Sequence, residues 1–98
     1  MLELNLRPLA ELDLEEIWLD TYDNWSEEQA NYYITEIYSA FIRIQKKPLL
    51  LGRKCEFNGL DYFRYNVQSH AIFYRMVTAN TIHVIRILHQ KMDLPEYL

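Results

Sequence analysis

Three arginines, Arg64, Arg75 and Arg86, lie in the 98-residue chain among runs of β-branched and aromatic residues. An arginine on a strand surface offers planar, always-charged hydrogen bonding beside apolar contact, the chemistry of partner recognition and of phosphate charge stabilisation. The plainer alternative is a guanidinium that pairs with a carboxylate or reaches from a solvated face. Three histidines, His70, His83 and His89, add groups that titrate near neutral pH. Zinc takes about four ligands, and no cysteine accompanies these histidines, so no metal site is expected. The single cysteine, Cys55, lacks a neighbouring histidine or a CxxC spacing to activate it. No P-loop, GxGxxG or Ser/His/Asp arrangement is present, and the sequence implies neither a cofactor nor a catalytic residue.

These side chains need strands to hold them. Tyr62–Val67, His70–Val77 and Thr81–His89 are rich in strand formers, and the breaks Gln68-Ser69 and Ala79-Asn80 suit two-residue hairpin loops. A three-stranded antiparallel meander follows, with Asn80 expected in the left-handed conformation. Its register sets Val67 opposite His70, Thr78 opposite Thr81, and Arg64, Phe73 and Arg86 in one row, with His70 facing His89. One face then carries Phe63, Tyr65, Val67, Ile72, Tyr74, Met76, Ile85 and Ile87. The other carries the three arginines with Ala71, Phe73, Ile82, Val84 and Leu88.

Upstream, Leu2, Leu4 and Leu6 alternate with polar residues as a short strand. Pro8 suits a first helical turn, and Ala10, Leu14, Ile17, Trp18, Thr21, Tyr22 and Trp25 recur at helical spacing, giving a helix over about Leu9–Asp23. Ser26-Glu27-Glu28-Gln29 is a capping box, and the helix it opens buries Ala30, Tyr33, Ile34, Ile37, Phe41 and Ile44 before ending near Lys46-Lys47, ahead of Pro48. The two helices form an antiparallel hairpin whose apolar stripes need the sheet. Residues 47–60 read as a connection with turn points at Gly52 and Gly59, and the chain ends in a short tail. The expected fold is α+β, β-α-α-β-β-β, one domain over residues 1–98. Trp18, Tyr22, Trp25 and Tyr33 form an aromatic cluster between the helices, either core or an anchor for a partner helix.

Composition narrows the partners. Half the residues are hydrophobic, which supports a packed core. The net charge is −4, from 14 acidic and 10 basic side chains, so the chain lacks the basic balance of a protein that grips a nucleic-acid backbone. Glu11, Asp13, Glu15, Glu16, Asp20 and Asp23 crowd one segment, which reads as a solvated helix face. Without a signal-like start or a long apolar run, a cytoplasmic protein with no membrane partner is expected.

Several stretches, in order, resemble the RelE/ParE superfamily of toxins from toxin–antitoxin operons. They are Asp13–Trp18, Trp25–Ala30, Pro48 with Gly52-Arg53, Ser69–Arg75 and Ile85–Asp93. The last two resemble the ParE branch in particular. The resemblance implies a toxin of a type II system that inhibits growth and stabilises plasmids, acting as a non-catalytic poison that traps DNA gyrase on cleaved DNA. It also implies neutralisation by a cognate antitoxin in a hetero-oligomer. The target-facing residues are then Arg64, Arg75, Arg86, His89, Lys91 and Met92, and the antitoxin-facing ones Trp18, Tyr22, Trp25, Tyr33 and Phe73. Arg86 is the leading target contact, with Arg86→Ala expected to keep the fold and lose toxicity. The superfamily's other branch cuts messenger RNA in the ribosome, with His89 and the arginines as the alternative machinery here. Ala71 stands where that branch carries a phosphate-stabilising arginine. An inactive antitoxin-binding module is the third reading.

Overall fold

The computed structural model describes residues 1–92 and 94–97. It contains a strand β1 (Glu3–Leu6), helices α1 (Pro8–Asn24) and α2 (Glu27–Lys46), a short helix α3 (Pro48–Leu51), and strands β2 (Arg53–Phe57), β3 (Leu60–Val67), β4 (His70–Thr78) and β5 (Thr81–His89). A 3-10 turn at Leu94–Tyr97 closes it. Pro8 opens α1, where a missing N–H leaves nothing unsatisfied. Ser26 caps α2 by accepting the Gln29 N–H at 3.0 Å, and Arg43 and Lys46 sit in its last turn against the helix dipole.

The strands form one sheet in the order β1-β5-β4-β3-β2, antiparallel apart from the parallel β1–β5 pair. The α+β fold is as expected, with one strand more. The stretch read as a connection holds α3 and β2, and Asn58 (φ 52°) and Gly59 (φ 75°) turn the chain between β2 and β3. An Asn-Gly pair is a strong hairpin signal, because both central residues need positive φ. It was missed because Arg-Lys-Cys-Glu-Phe has no alternating apolar face: this is an edge strand with its first four residues exposed. Charge on such an edge discourages pairing with another chain. Asn80 does not take the left-handed conformation expected of it; Gln68 (φ 54°) does, in the preceding hairpin.

The expected register holds from His70 opposite His89 to Phe73 opposite Arg86, and again at Thr78 opposite Thr81, but not between those stretches. Extra residues at Val77 in β4 and Ile85 in β5 shift the middle by one, so Tyr74 faces Val84 and Arg75 faces His83. Ile82 and Val84 thereby join the core on the helix side, fully buried, while Ile85 packs on the opposite face. This reverses the expected faces of all three. Burying an aliphatic side chain contributes about 1.5–3 kcal/mol, whereas a ladder hydrogen bond contributes about 1 kcal/mol. Two aliphatics enter the helix-side core and one leaves it, a net gain of the same order as the ladder bonds that the two bulges interrupt.

The main core joins α1, α2 and the helix side of the sheet through Leu14, Ile17, Ile37, Phe41, Ile44, Ile72, Tyr74 and their neighbours. A smaller cluster on the other face, Tyr62, Ala71, Phe73 and Leu88, is covered by Leu94 of the 3-10 turn. Among the described residues no helix is long and apolar enough to cross a membrane.

Candidate functional site

The three arginines share the sheet face away from the helices, but their guanidinium groups have different fates. Arg64 lies 5.5 Å over the Phe73 ring, donates through Nε to Asn66 Oδ1 at 3.1 Å and through Nη2 to the Gln90 carbonyl at 3.1 Å. Arg75 lies 5.6 Å over Tyr62, and its Nε is buried without a hydrogen-bond partner among the described residues. Both are partly exposed cations on aromatic platforms, a geometry worth about 0.5–2 kcal/mol that also pre-orders the charge. Arg53, part of the family resemblance but not of the expected target-facing set, pairs directly with Arg64 across β2 and β3. Like charges placed opposite one another are unfavourable in a sheet, so this edge is a local positive field on an acidic protein.

Arg86 is committed internally. Its Nε and Nη2 fork onto the two oxygens of Asp13, both at 2.8 Å, and Nη1 donates to the Tyr97 carbonyl at 2.6 Å. Tyr97 also stacks beneath it, 5.9 Å from ring centroid to Cζ. The carboxylate hydrogen bond is the main influence raising the Arg86 pKa, so this guanidinium stays charged. The reason for the lock lies in the sheet: β1 ends opposite Val84, which leaves the outer edge of β5 open beyond it. Asp13, only 6% exposed, reaches that edge from α1 and accepts the Ile87 N–H at 2.9 Å. The expectation that Arg86→Ala would keep the fold is therefore corrected, because removal would strand a buried carboxylate.

His70 and His89 are brought together as expected, ring centroids 5.5 Å apart. The Tyr33 hydroxyl accepts the Ser69 N–H at 3.0 Å and shares a hydrogen bond of 2.6 Å with His70 Nδ1. His89 Nδ1 accepts the Lys91 N–H at 3.2 Å. No group of three or more potential ligands among the described residues can hold a metal ion. Burial, then His89, lowers the His70 pKa from 6.5 against the pull of Asp13 and Asp20. The folded state thus binds fewer protons, so the His70 contribution to stability is full above pH 6.5 and is lost as pH falls through the depressed value. Melting temperature should drop between pH 7.5 and 5, and His70→Gln should flatten that drop. An unchanged slope in the variant would remove His70 as its source.

The aromatic residues divide. Trp18 stacks on Tyr22, with centroids 5.2 Å apart, and its Nε1 donates to Asn31. Tyr22 and Trp25 are exposed, Trp25 at 79%, so the reading of this cluster as core fails for them. Phe73 lies apart from the others, buried on the opposite sheet face under Leu94. Lys91 and Met92 are exposed beyond β5; Asp93 lies outside the described residues.

A cleft of about 650 Å³ runs between α1 and the open half of β5. One stripe of α1 supplies Asp13, Glu16, Ile17, Asp20, Thr21, Asn24 and Trp25, facing His70, His89, Met92 and Tyr97. Three of the six acidic residues that read as a solvated face, Asp13, Glu16 and Asp20, therefore line a groove. Their spacing of three and four residues carried that signal, but what stood opposite did not.

Sequence comparison finds a match to the family described as the ParE toxin of the type II toxin–antitoxin system parDE, over residues 4–94. Toxin ParE1 of Mycobacterium tuberculosis is 41% identical over 93 residues, covering 95% of this chain and 94% of its own. Toxin ParE1 of Caulobacter vibrioides is 33% identical over 89 residues, covering 91% and 90%. Among solved structures, the chromosomal ParDE system of P. aeruginosa superposes with a TM-score of 0.77 at 21% identity, over 91% of this chain and 96% of that one. The toxin–antitoxin complex RelBE2 of M. tuberculosis superposes with a TM-score of 0.63 at 17% identity, over 91% and 98%. At those identities the structures speak for the fold alone.

Proposed function

The chain belongs to the ParE toxin family of type II toxin–antitoxin systems, and from this premise we propose that it poisons DNA gyrase in the cytoplasm and is held silent by a cognate antitoxin. The observation that carries the reading is the family match over residues 4–94, nearly the whole chain. The action proposed is binding, not catalysis: the toxin holds gyrase at the stage where DNA is cleaved. Arg64 and Arg75 suit such a contact, being partly exposed and braced on Phe73 and Tyr62. A pre-ordered arginine loses less side-chain entropy on docking than a free one. Ala71 is fully buried where the ribonuclease branch carries its arginine, so phosphate stabilisation from that position has no group to supply it.

Purified chain mixed with gyrase, ATP and supercoiled plasmid, then stopped with detergent and protease, should yield linear DNA only when both proteins are present. Arg64→Ala should reduce the linear product at least tenfold while lowering the melting temperature by only a few degrees, as expected for a hot-spot arginine braced on Phe73 at a partner interface. A growth-inhibiting chain that produces no linear plasmid would overturn the gyrase reading. Cleavage of messenger RNA in translating ribosomes would then replace it.

A further inference from the structure

The cleft between α1 and β5 has features that a solvated helix face does not need. Asp13 and Arg86 neutralise one another within it. Glu16 and Asp20 remain as two carboxylates on the same wall with no cation of the lining paired to them among the described residues. Apolar surface lies between and beyond them: Ile17 and Ile87 at the base, and the exposed Trp25 and Met92 at one end. The floor is an open strand edge. Ile87 sends its N–H outward to Asp13, so by the alternation of an antiparallel strand its carbonyl and the His89 N–H face outward as well. From Asp13 to Trp25 the helical wall is about 18 Å long at 1.5 Å per residue. That length matches about five residues of extended chain.

We propose that this cleft receives an extended, basic segment of a partner protein, its Lys or Arg side chains set between Glu16 and Asp20 with their stems along Trp25 and Met92. The proposal rests on the antitoxin reading above and gives the antitoxin segment its chemistry. An arginine stem covers apolar surface while its head meets carboxylate, and an indole face adds a cation–π contact. The segment's backbone can bond to the Ile87 carbonyl and the His89 N–H. A helix, about 10–12 Å across, would leave that edge unused. An acidic or phosphate-bearing segment would meet the two uncompensated carboxylates.

The probe is the peptide acetyl-Arg-Val-Arg-Val-Arg-amide, titrated into the uniformly 15N-labelled full chain. The expected result is saturable binding with amide shifts confined to residues 13–25 and 85–92. Glu16→Lys/Asp20→Lys should weaken it at least tenfold, while Glu11→Lys/Glu15→Lys, which makes the same change in net charge outside the cleft, should stay within twofold. Absence of binding would overturn the proposal. So would equal loss in both double variants, or shifts spread over the acidic surface, since either means a general attraction to negative charge. The antitoxin reading is judged separately, by whether the protein encoded beside this gene silences the wild-type toxin.

Discussion

Arg86→Ala lowers the melting temperature by more than about 10 °C, corresponding to a loss of about 3 kcal/mol or more in a domain of this size. The size follows from what is left behind. Asp13 is 8% exposed as a side chain, and its two strong donors come from Arg86. With the guanidinium gone, the carboxylate keeps the Ile87 N–H and must otherwise be desolvated without a counter-charge. Arg86 also joins three parts of the molecule at once, α1 through Asp13, the β5 strand it stands on, and the C-terminal turn through Tyr97. Asp13→Ala should cost a similar amount, and Asp13→Ala/Arg86→Ala should cost much less than the two single losses added, because the pair is removed together. Thermal melts of the four proteins close the cycle. A single Arg86→Ala variant melting within about 3 °C of wild type would show the lock to be dispensable. Loss of toxicity in Arg86→Ala therefore reports on target contact only after the fold has been checked, which is why Arg64 is the better probe.

Gly52→Ala is the second large effect, and its sign is decided by two opposing magnitudes. Gly52 has φ −82°, a conformation open to alanine, so on backbone grounds the substitution would stabilise by about 0.4–1 kcal/mol through the unfolded state. A Cβ there, however, would approach Phe63 Cβ to 2.8 Å and would overlap the Tyr74 hydroxyl oxygen. Neither neighbour is free to move. Tyr74 is fully buried, stacks on Phe63 with centroids 5.4 Å apart, and donates to the Pro48 carbonyl at 2.5 Å. Burial pushes its phenol up to about 12, with the Gly52 backbone pulling the other way, so the donor keeps its proton at any physiological pH. Overpacking of this kind costs about 1–3 kcal/mol, more than the entropic gain. The expected net is a loss of roughly 1–2 kcal/mol and a melting point lower by about 5–10 °C. In a Tyr74→Phe background the oxygen is gone and only the Phe63 contact remains, so Gly52→Ala should cost measurably less. Equal costs in the two backgrounds would mean that the hydroxyl is not the obstacle.

Those two residues also mark where reading the chain as text succeeds and fails. Gly52 was legible as a turn point, but not as the place where α3 leads into β2 against a buried tyrosine, because that contact joins residues 22 positions apart. Arg86 was legible as a functional candidate from its type and strand position. Its partner Asp13 sits 73 residues away in an acidic run that looked solvated. The aromatic residues show the same limit. Trp18, Tyr22 and Trp25 share the helical spacing of Ala10, Leu14 and Ile17, yet only the latter three are buried: Trp18 bonds to Asn31 of α2 and stacks on Tyr22, and Trp25 lines the cleft.

Local chemistry determined much on its own. Pro8 and Ser26 place helix starts because the missing or capped N–H groups lie within a turn of them. The β3–β4 hairpin and the His70–His89 pairing follow from short loops and the period of two. The order of these elements along the chain, with the family resemblance it carries, was likewise present in the sequence. Tertiary structure alone decided the rest. The bulges at Val77 and Ile85 exchange the faces of Ile82, Val84 and Ile85, because the helices above demand aliphatic side chains and a register can slip by one to supply them. The polar edge strand β2 exists because β3 offers it a ladder. Arg86 turned inward because β1 stops at Leu6, leaving an open strand edge and a carboxylate near enough to fill it. Periodicity states what each residue prefers to face, whereas packing decides what is there to be faced.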